Sequence, residues 1–270
     1  MAGRQEAIGS RLAPQRPLRD SLRSRLSGNL PLLISALAIV TTWEVVGRTA
    51  DLTVLPPLSE IFAALWQFLV DGTIFNALGV SLLTLALGMG LSIVLGITIG
   101  ALMGRYRVVE YALDVYVNAA MAAPMVAFVP VFILIFGIGY PTRVLTVILF
   151  AIFPIIVDTF AGIRNVDPSL VEMGRSFRAT ERQLFWRIRV PAAFPLLLAG
   201  VRLGTARGVK GLINGEVLVA VVGLGGLVDR FGTPFSMERL YALIFFLVAL
   251  ALVLVRLVEM LSRRIVRAPG

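Results

Sequence analysis

Side chains able to do chemistry are scarce in this chain, and they concentrate in two stretches. The sequence holds no cysteine and no histidine. Disulfides, thiol chemistry and thiolate metal sites are therefore excluded, and the commonest metal ligand and usual general base near neutral pH is missing. No catalytic constellation for an intramembrane enzyme is left. The first stretch is a group of charges in or beside an apolar block: Arg202, Arg207, Lys210 and Glu216. A charge at mid-bilayer costs about 2.5–3.5 kcal/mol on insertion scales, so such residues face protein or a water-filled path. One reading is a path lining that favours anions. The other is a span that starts later, with Arg202 and Arg207 at the interface and Lys210 and Glu216 paired to other helices. Asn118, Met121, Met125 and Tyr140 are further lining candidates, because flexible methionines suit an adaptable wall. Plain packing competes with that role.

The second stretch is residues 167–195, DPSLVEMGRSFRATERQLFWRIRVPAAFP. Asp167 can cap a helix with Pro168 at its first position, running to about Phe177. Thr180 starts a second helix, and Gln183 completes a capping box. A turn at Arg178-Ala179 joins them, and Pro191 marks re-entry into the membrane. Leu170, Met173, Gly174 and Phe177 share one face of the first helix. Leu184, Phe185, Trp186 and Ile188 lie among Arg182, Arg187 and Arg189 on the second. Apolar groups ringed by charge make a docking surface for another protein, or they pack on the end of a bundle and snorkel at the lipid interface.

The elements that must position these residues are membrane spans. Hydrophobic residues make up 58% of the 270 and charged residues only 15%, against about 25% charged in soluble domains. Mean hydropathy is +0.89. Six apolar blocks are long enough to span, at about 30–46, 78–103, 115–138, 144–163, 194–222 and 240–257. The net charge of +9 lies at block edges rather than on a soluble basic face, which argues against nucleic acid as partner. Arginines crowd residues 1–28, the 105–107 loop, the 164–189 loop and the C-terminus, whereas the intervening loops are acidic, nearly uncharged or balanced. The positive-inside rule then places both termini in the cytoplasm. The first block continues into Trp43-Glu44 with no clear cleavage site, as an uncleaved helix would. Residues 1–28 are expected to form a flexible basic tail, 29–264 the transmembrane domain and 265–270 a C-terminal tail.

Residues 58–70 follow Pro56-Pro57 and read as a short amphipathic helix, with Leu58, Ile61, Phe62, Leu65 and Leu69 on its apolar face. Gly96, Gly100 and Gly104, and again Gly200, Gly204 and Gly208, repeat every four residues. Such stripes let backbones approach closely, within the bundle or at a subunit interface. Pro124, Pro130 and Pro154 lie inside apolar blocks, where they should kink or break helices.

The 167–195 stretch resembles the EAA loop of ABC importer permeases. Glu172, Ile188 and Pro191 match, and Val190 conservatively replaces Leu. Met173 and Gly174 stand where that pattern has Ala, and Arg178 where it has Gly. PPLSE at 56–60, FGIG at 136–139, FPI at 153–155 and NVDPSL at 165–170 are similar in spacing to the nitrate, sulfonate and taurine permease group, over roughly residues 30–264. The resemblance implies an all-α membrane protein of six transmembrane helices with a cytoplasmic EAA-type coupling loop at about 165–191. It implies that Glu172, Gly174, Ser176, Phe177, Arg178, Ile188 and Pro191 lie where the loop meets a cytoplasmic ATPase. It also implies a second permease copy, an extracytoplasmic solute-binding protein, a bacterial inner-membrane location, and alternating access for a small anionic solute. No Walker A pattern occurs, and the glycine-rich run 204–210 has the wrong spacing. ATP and Mg would thus be bound by the partner ATPase. A secondary transporter or channel is the competing class, favoured by paired mid-membrane carboxylates, which the sequence lacks. Similar permeases serve nitrate, sulfonates, taurine, bicarbonate, aromatic acids and vitamin-precursor pyrimidines, and nothing in the residues separates these substrates.

Overall fold

A computed structural model of the chain describes residues 18–50, 54–219, 223–232 and 236–267. All regular structure in these residues is helical. The chain divides into two compact units, residues 1–59 and 60–270.

In the first unit, α1 runs Leu18–Thr49 and contains Pro31. The expected tail 1–28 lies outside the described residues up to 17, and from Leu18 onward its backbone is helical. Beyond α1 the chain folds back on the helix end. Trp43 donates its indole N–H to the Pro56 carbonyl at 3.1 Å. Glu44 accepts from the Ser59 backbone N–H at 3.0 Å and pairs with Arg48 at 2.6 Å. Gly47 gives Pro57 room, since a Cβ there would lie 2.8 Å from the Pro57 nitrogen.

The second unit contains α2 (Leu58–Val70, which starts at the boundary), α3 (Thr73–Arg105), α4 (Arg107–Ala122), α5 (Val129–Phe136), α6 (Tyr140–Arg164), α7 (Pro168–Ser176), α8 (Glu181–Leu184), α9 (Val190–Val219), α10 (Gly223–Gly232) and α11 (Met237–Arg267). Among the described residues, five helical stretches are long and apolar enough to cross a membrane. A sixth is the pair 107–122 and 125–136, bent by 101°. The fold is thus an all-α, multi-spanning membrane fold. The helices turn large apolar side chains outward, among them Leu83, Val94, Leu134 and Leu252, which suits lipid as solvent. Some buried hydroxyls return to their own helices: Ser92 donates to the Gly88 carbonyl at 2.7 Å and Thr146 to that of Thr142 at 2.8 Å.

The core is α6 held between α3 and α9, and the glycine stripes explain the arrangement. Gly96 and Gly104 on α3 face Ile155 and Ile163 of α6, while Gly200 and Gly204 on α9 face Asp158 and Ile155 from the other side. A Cβ at Gly100 would lie 2.6 Å from the Ile156 carbonyl oxygen. Both stripes are therefore intramolecular packing, with backbone against side chain at distances that only glycine permits.

Two expectations change. Of the prolines, only Pro124 sits at a break, between α4 and a 3₁₀ turn at Met125–Phe128. Pro130 lies in the first turn of α5, where its missing N–H costs no helix bond. Pro154 lies inside an unbroken α6. The apolar face of α2 is rotated from the expected one: Ile61, Ala64 and Phe68 are buried while Phe62 is exposed. Phe68 stacks on Phe231 of α10 with ring centroids 5.0 Å apart, and that contact sets the rotation. The FGIG run at 136–139 closes α5, where Gly137 takes φ 76° and accepts from the buried Thr142 hydroxyl at 2.7 Å. The positive φ requires glycine there.

Candidate functional site

The connection from α6 to α9 is an elbow of two short capped helices. At its start Asp167 accepts the Ser169 backbone N–H at 2.9 Å, with Pro168 opening α7. That donated N–H holds the Asp167 carboxyl below the usual carboxylate range. The Thr180–Gln183 capping box is complete: Gln183 accepts the Thr180 N–H at 2.8 Å, and the Gln183 N–H donates to the Thr180 hydroxyl at 3.3 Å. Between the two helices Arg178 takes φ 55°, the only non-glycine positive φ among the described residues. A side chain in this conformation costs about 1–2 kcal/mol. The turn's hydrogen bonds hold it there: the Ala179 N–H reaches back to the Gly174 carbonyl at 3.1 Å.

At Pro191, expected to mark re-entry into the membrane, the helix is not interrupted. α8 passes directly into a π-helical turn, Phe185–Arg189, and then α9, with the Val190 N–H donating to the Phe185 carbonyl five residues back. Widening the helix before Pro191 accommodates a residue that has no N–H to offer. Helix therefore continues from Glu181 to Val219.

The side chains sort into two sets. Val171, Gly174, Leu184 and Phe185 are buried, and Ile188 is half-buried. A Cβ at Gly174 would lie 2.5 Å from Ile188 Cδ1 and 2.6 Å from Leu184 Cδ2, so glycine seats α7 against α8. Leu170, Met173, Phe177 and Trp186 point outward, Phe177 being 82% exposed and Trp186 60%. The apolar faces expected from the sequence are thus split between interior and surface. Glu172, Ser176, Arg178 and Pro191 are also exposed, and the Ser176 hydroxyl returns to the Glu172 carbonyl at 3.1 Å.

The second candidate region is built around Glu216, which is 1% exposed. Its carboxylate accepts the Ser81 hydroxyl of α3 at 2.7 Å and the Gly225 N–H of α10 at 3.0 Å. Ser81 in turn accepts the Leu224 N–H at 3.0 Å. Arg143 of α6 is 5% exposed and places Nη1 3.9 Å from the carboxylate, with its guanidinium 5.5 Å from the centre of the Tyr140 ring. The first N–H groups of α10 have no helical partner, so a carboxylate from α9 and a hydroxyl from α3 take their place, favoured by the helix dipole. A Cβ at Gly223 would lie 2.5 Å from Glu216 Oε1, and one at Gly225 would overlap the α9 backbone. The spacing had marked Glu216 for pairing or for a path, but Ser81 and Arg143 were missed. The signal was present: a lone carboxylate in an apolar block needs donors and a cation, and Arg143 opens another such block.

Arg207 is half-buried and brings Nη1 to 3.5 Å from Met121 Sδ across α9 and α4. Arg202 pairs with Glu259 of α11 at 3.5 Å. Lys210 is exposed, Asn118 is exposed and bonded to Asp114 at 2.9 Å, and Met125 is half-buried. Of these candidates, Arg207 and Met121 are brought together directly.

Residues 92–267 match the binding-protein-dependent transport system inner membrane component family. The chain belongs to this family. It is a transport permease subunit of an ABC-type transporter and not a catalytic enzyme, ATP hydrolysis residing in a separate subunit. It is 33% identical over 211 residues to the formylaminopyrimidine transport permease protein ThiX of Halalkalibacterium halodurans, covering 78% of this chain and 84% of the relative. It is 27% identical over 248 residues to the taurine transport system permease protein TauC of Escherichia coli, covering 89% and 90%. A solved chain from the MetNI methionine ABC transporter in inward-facing conformations shares the fold, with TM-score 0.58 at 21% identity, covering 75% of this chain and 96% of that one.

Proposed function

We propose that this permease imports a small anionic solute across a bacterial inner membrane by alternating access, driven through the 165–191 elbow. The observation that carries the coupling role is the elbow's outward apolar surface, Leu170, Met173, Phe177 and Trp186, held on two capped helices and continuous with a spanning helix. A cytoplasmic ATPase docks on that surface. Phe177 and Glu172 make contact, while Gly174 and Ile188 keep the elbow stiff. Ser176 and Arg178 fix the end of α7 and the turn, and Pro191 sits where the elbow becomes span. Arginine-rich loops at 105–107 and 164–189 support cytoplasmic termini. A second permease copy and an extracytoplasmic binding protein complete the assembly within the 29–264 permease domain's membrane setting.

Solute passes beside Arg207, Lys210, Asn118, Met121 and Met125. Arg207 makes no ion pair among the described residues, which leaves its charge for an anion. Glu216 sits beside that path as the pin on α10 and is not part of an open lining in this conformation. The relatives that transport formylaminopyrimidine and taurine set the size range.

The test is affinity purification of the tagged chain from its native membrane in mild detergent, with mass spectrometry. The expected result is co-purification of an ATPase, lost when 172–191 is replaced by a neutral linker in a chain that still folds. Recovery of folded chain without ATPase, even after gentle cross-linking, would sink the coupling role.

A further inference from the structure

Beneath the elbow lies a hollow of about 500 Å³ that lies outside the proposed transport path and shares Glu172 with the proposed docking surface. Its walls come from four places: the α3–α4 junction with Arg105 and Arg107, the end of α6 with Arg164, the inner side of α7 with Glu172 and Arg175, and Arg189 of the π turn. Five arginines thus line one hollow that contains a single carboxylate. Arg164 is engaged by Glu110 at 3.4 Å and Arg175 by Glu181 at 3.2 Å. Arg105, Arg107 and Arg189 make no ion pair among the described residues. Arg105 is held in place by aromatic rings, its guanidinium 4.7 Å from the centre of Phe185 and 5.2 Å from that of Tyr106. Arg189 Nε is buried without a hydrogen-bond partner.

Helix ends account for part of this. Arg105, Arg164 and Arg175 occupy the last turns of α3, α6 and α7, where cations complement the dipole. That argument covers neither Arg107 nor Arg189, and it does not explain why all five converge. Clustered guanidinium groups repel one another, and an orphaned buried donor is costly. Both costs are relieved by an anion with several acceptor oxygens, which the planar donor forks of arginine fit two at a time. The hollow also falls within the size range of small-ligand sites, about 300–1,000 Å³.

We propose that this hollow binds a phosphate group whose negative charge is not cancelled by a neighbouring cation, with Arg105, Arg107 and Arg189 as its ligands. The phosphate belongs to an anionic lipid headgroup or is free in solution. The headgroup source rests on the orientation proposed above, which sets the hollow at the inner leaflet, where anionic lipid accumulates. The phosphate chemistry itself does not depend on that orientation.

The experiment uses the purified full chain in non-ionic detergent, with unfolding followed by tryptophan fluorescence. Inorganic phosphate at constant ionic strength, dioctanoyl phosphatidylglycerol and dioctanoyl phosphatidylcholine are titrated separately. The expected result is a saturable rise in Tm with the phosphatidylglycerol and none with the phosphatidylcholine. The Arg105→Gln/Arg189→Gln double variant should weaken the response roughly tenfold in midpoint concentration. Arg182→Gln/Arg187→Gln, exposed and outside the hollow, should not change it. If the pocket double variant does not fold, the exposed Arg107→Gln alone must weaken binding. A response to inorganic phosphate as well assigns the site to free phosphate, and a response to phosphatidylglycerol alone assigns it to the headgroup. No saturable response to either probe, an equal response to phosphatidylcholine, or a response unchanged in the pocket variants overturns the proposal.

Discussion

The elbow and the Glu216 node solve opposite problems with the same kinds of residue. At the node, polar groups are taken out of solvent and satisfied by one another: a carboxylate, a hydroxyl, two backbone N–H groups and a guanidinium from four helices. At the elbow, backbone polar groups are satisfied locally by caps, while apolar side chains are turned outward. The first arrangement fixes how helices sit together. The second leaves a stiff surface with something still to bury. Substitutions at the node should therefore register as stability, and those on the elbow's outer face as partner binding.

The largest effect is expected at Glu216. Glu216→Ala leaves Arg143 buried without a carboxylate, and the Gly225 N–H and the Ser81 hydroxyl without their acceptor, a loss of about 3–5 kcal/mol. It is measured as a fall in Tm of the purified chain. Glu216→Gln keeps an acceptor for the Gly225 N–H and should lose less. A chain as stable with Ala as with Glu would mean that α10 is held by something else. Next in size is overpacking along the glycine stripe. Gly204→Val drives a side chain into Ile155 and the Ala151 carbonyl, costing about 1–3 kcal/mol, read from the same transition.

On the elbow the expected readouts separate. Phe177→Ala should shift stability by less than about 0.5 kcal/mol, as exposed sites do, while ATPase recovery in the purification falls. A large fall in Tm with intact ATPase recovery would reverse the distinction between the two regions. Thr180→Ala removes half of the capping box and should cost about 1 kcal/mol, whereas Arg178→Gly should relieve a comparable strain in the opposite direction. Both are read by thermal unfolding. The smallest effect concerns pH at α7. Because the Asp167 pKa is lowered in the folded chain, its cap is fully effective above the unfolded value of about 3.9 and is lost only as pH falls through the lowered value. Amide-exchange protection at Ser169 should follow that course, and Asp167→Asn should remove the pH dependence while keeping a cap.

Much of the elbow was legible because its determinants are local. Asp167, Pro168, Thr180 and Gln183 act on backbone groups within three residues, so spacing alone places both helices and the turn at Arg178-Ala179 between them. The direction of Leu184 and Phe185 was not legible, since it depends on where the α7–α8 turn presses against α6 and α9. The prolines show the same boundary. Pro124 sits at a helix break and Pro154 does not, a difference that residue type alone does not predict.

The sequence by itself determined the apolar spans, the absence of thiol and imidazole chemistry, the capped elbow and the glycine stripes, because each follows from composition or from contacts a few residues apart. Only the tertiary structure decided that both stripes close on α6, that the α4–α5 segment bends, that Glu216 meets Ser81, Arg143 and the start of α10, and that arginines from distant segments surround one hollow. Those outcomes join residues up to 143 positions apart. The low-dielectric interior selects such pairings by the cost of leaving a charge or donor unanswered, and that cost has no expression in local sequence.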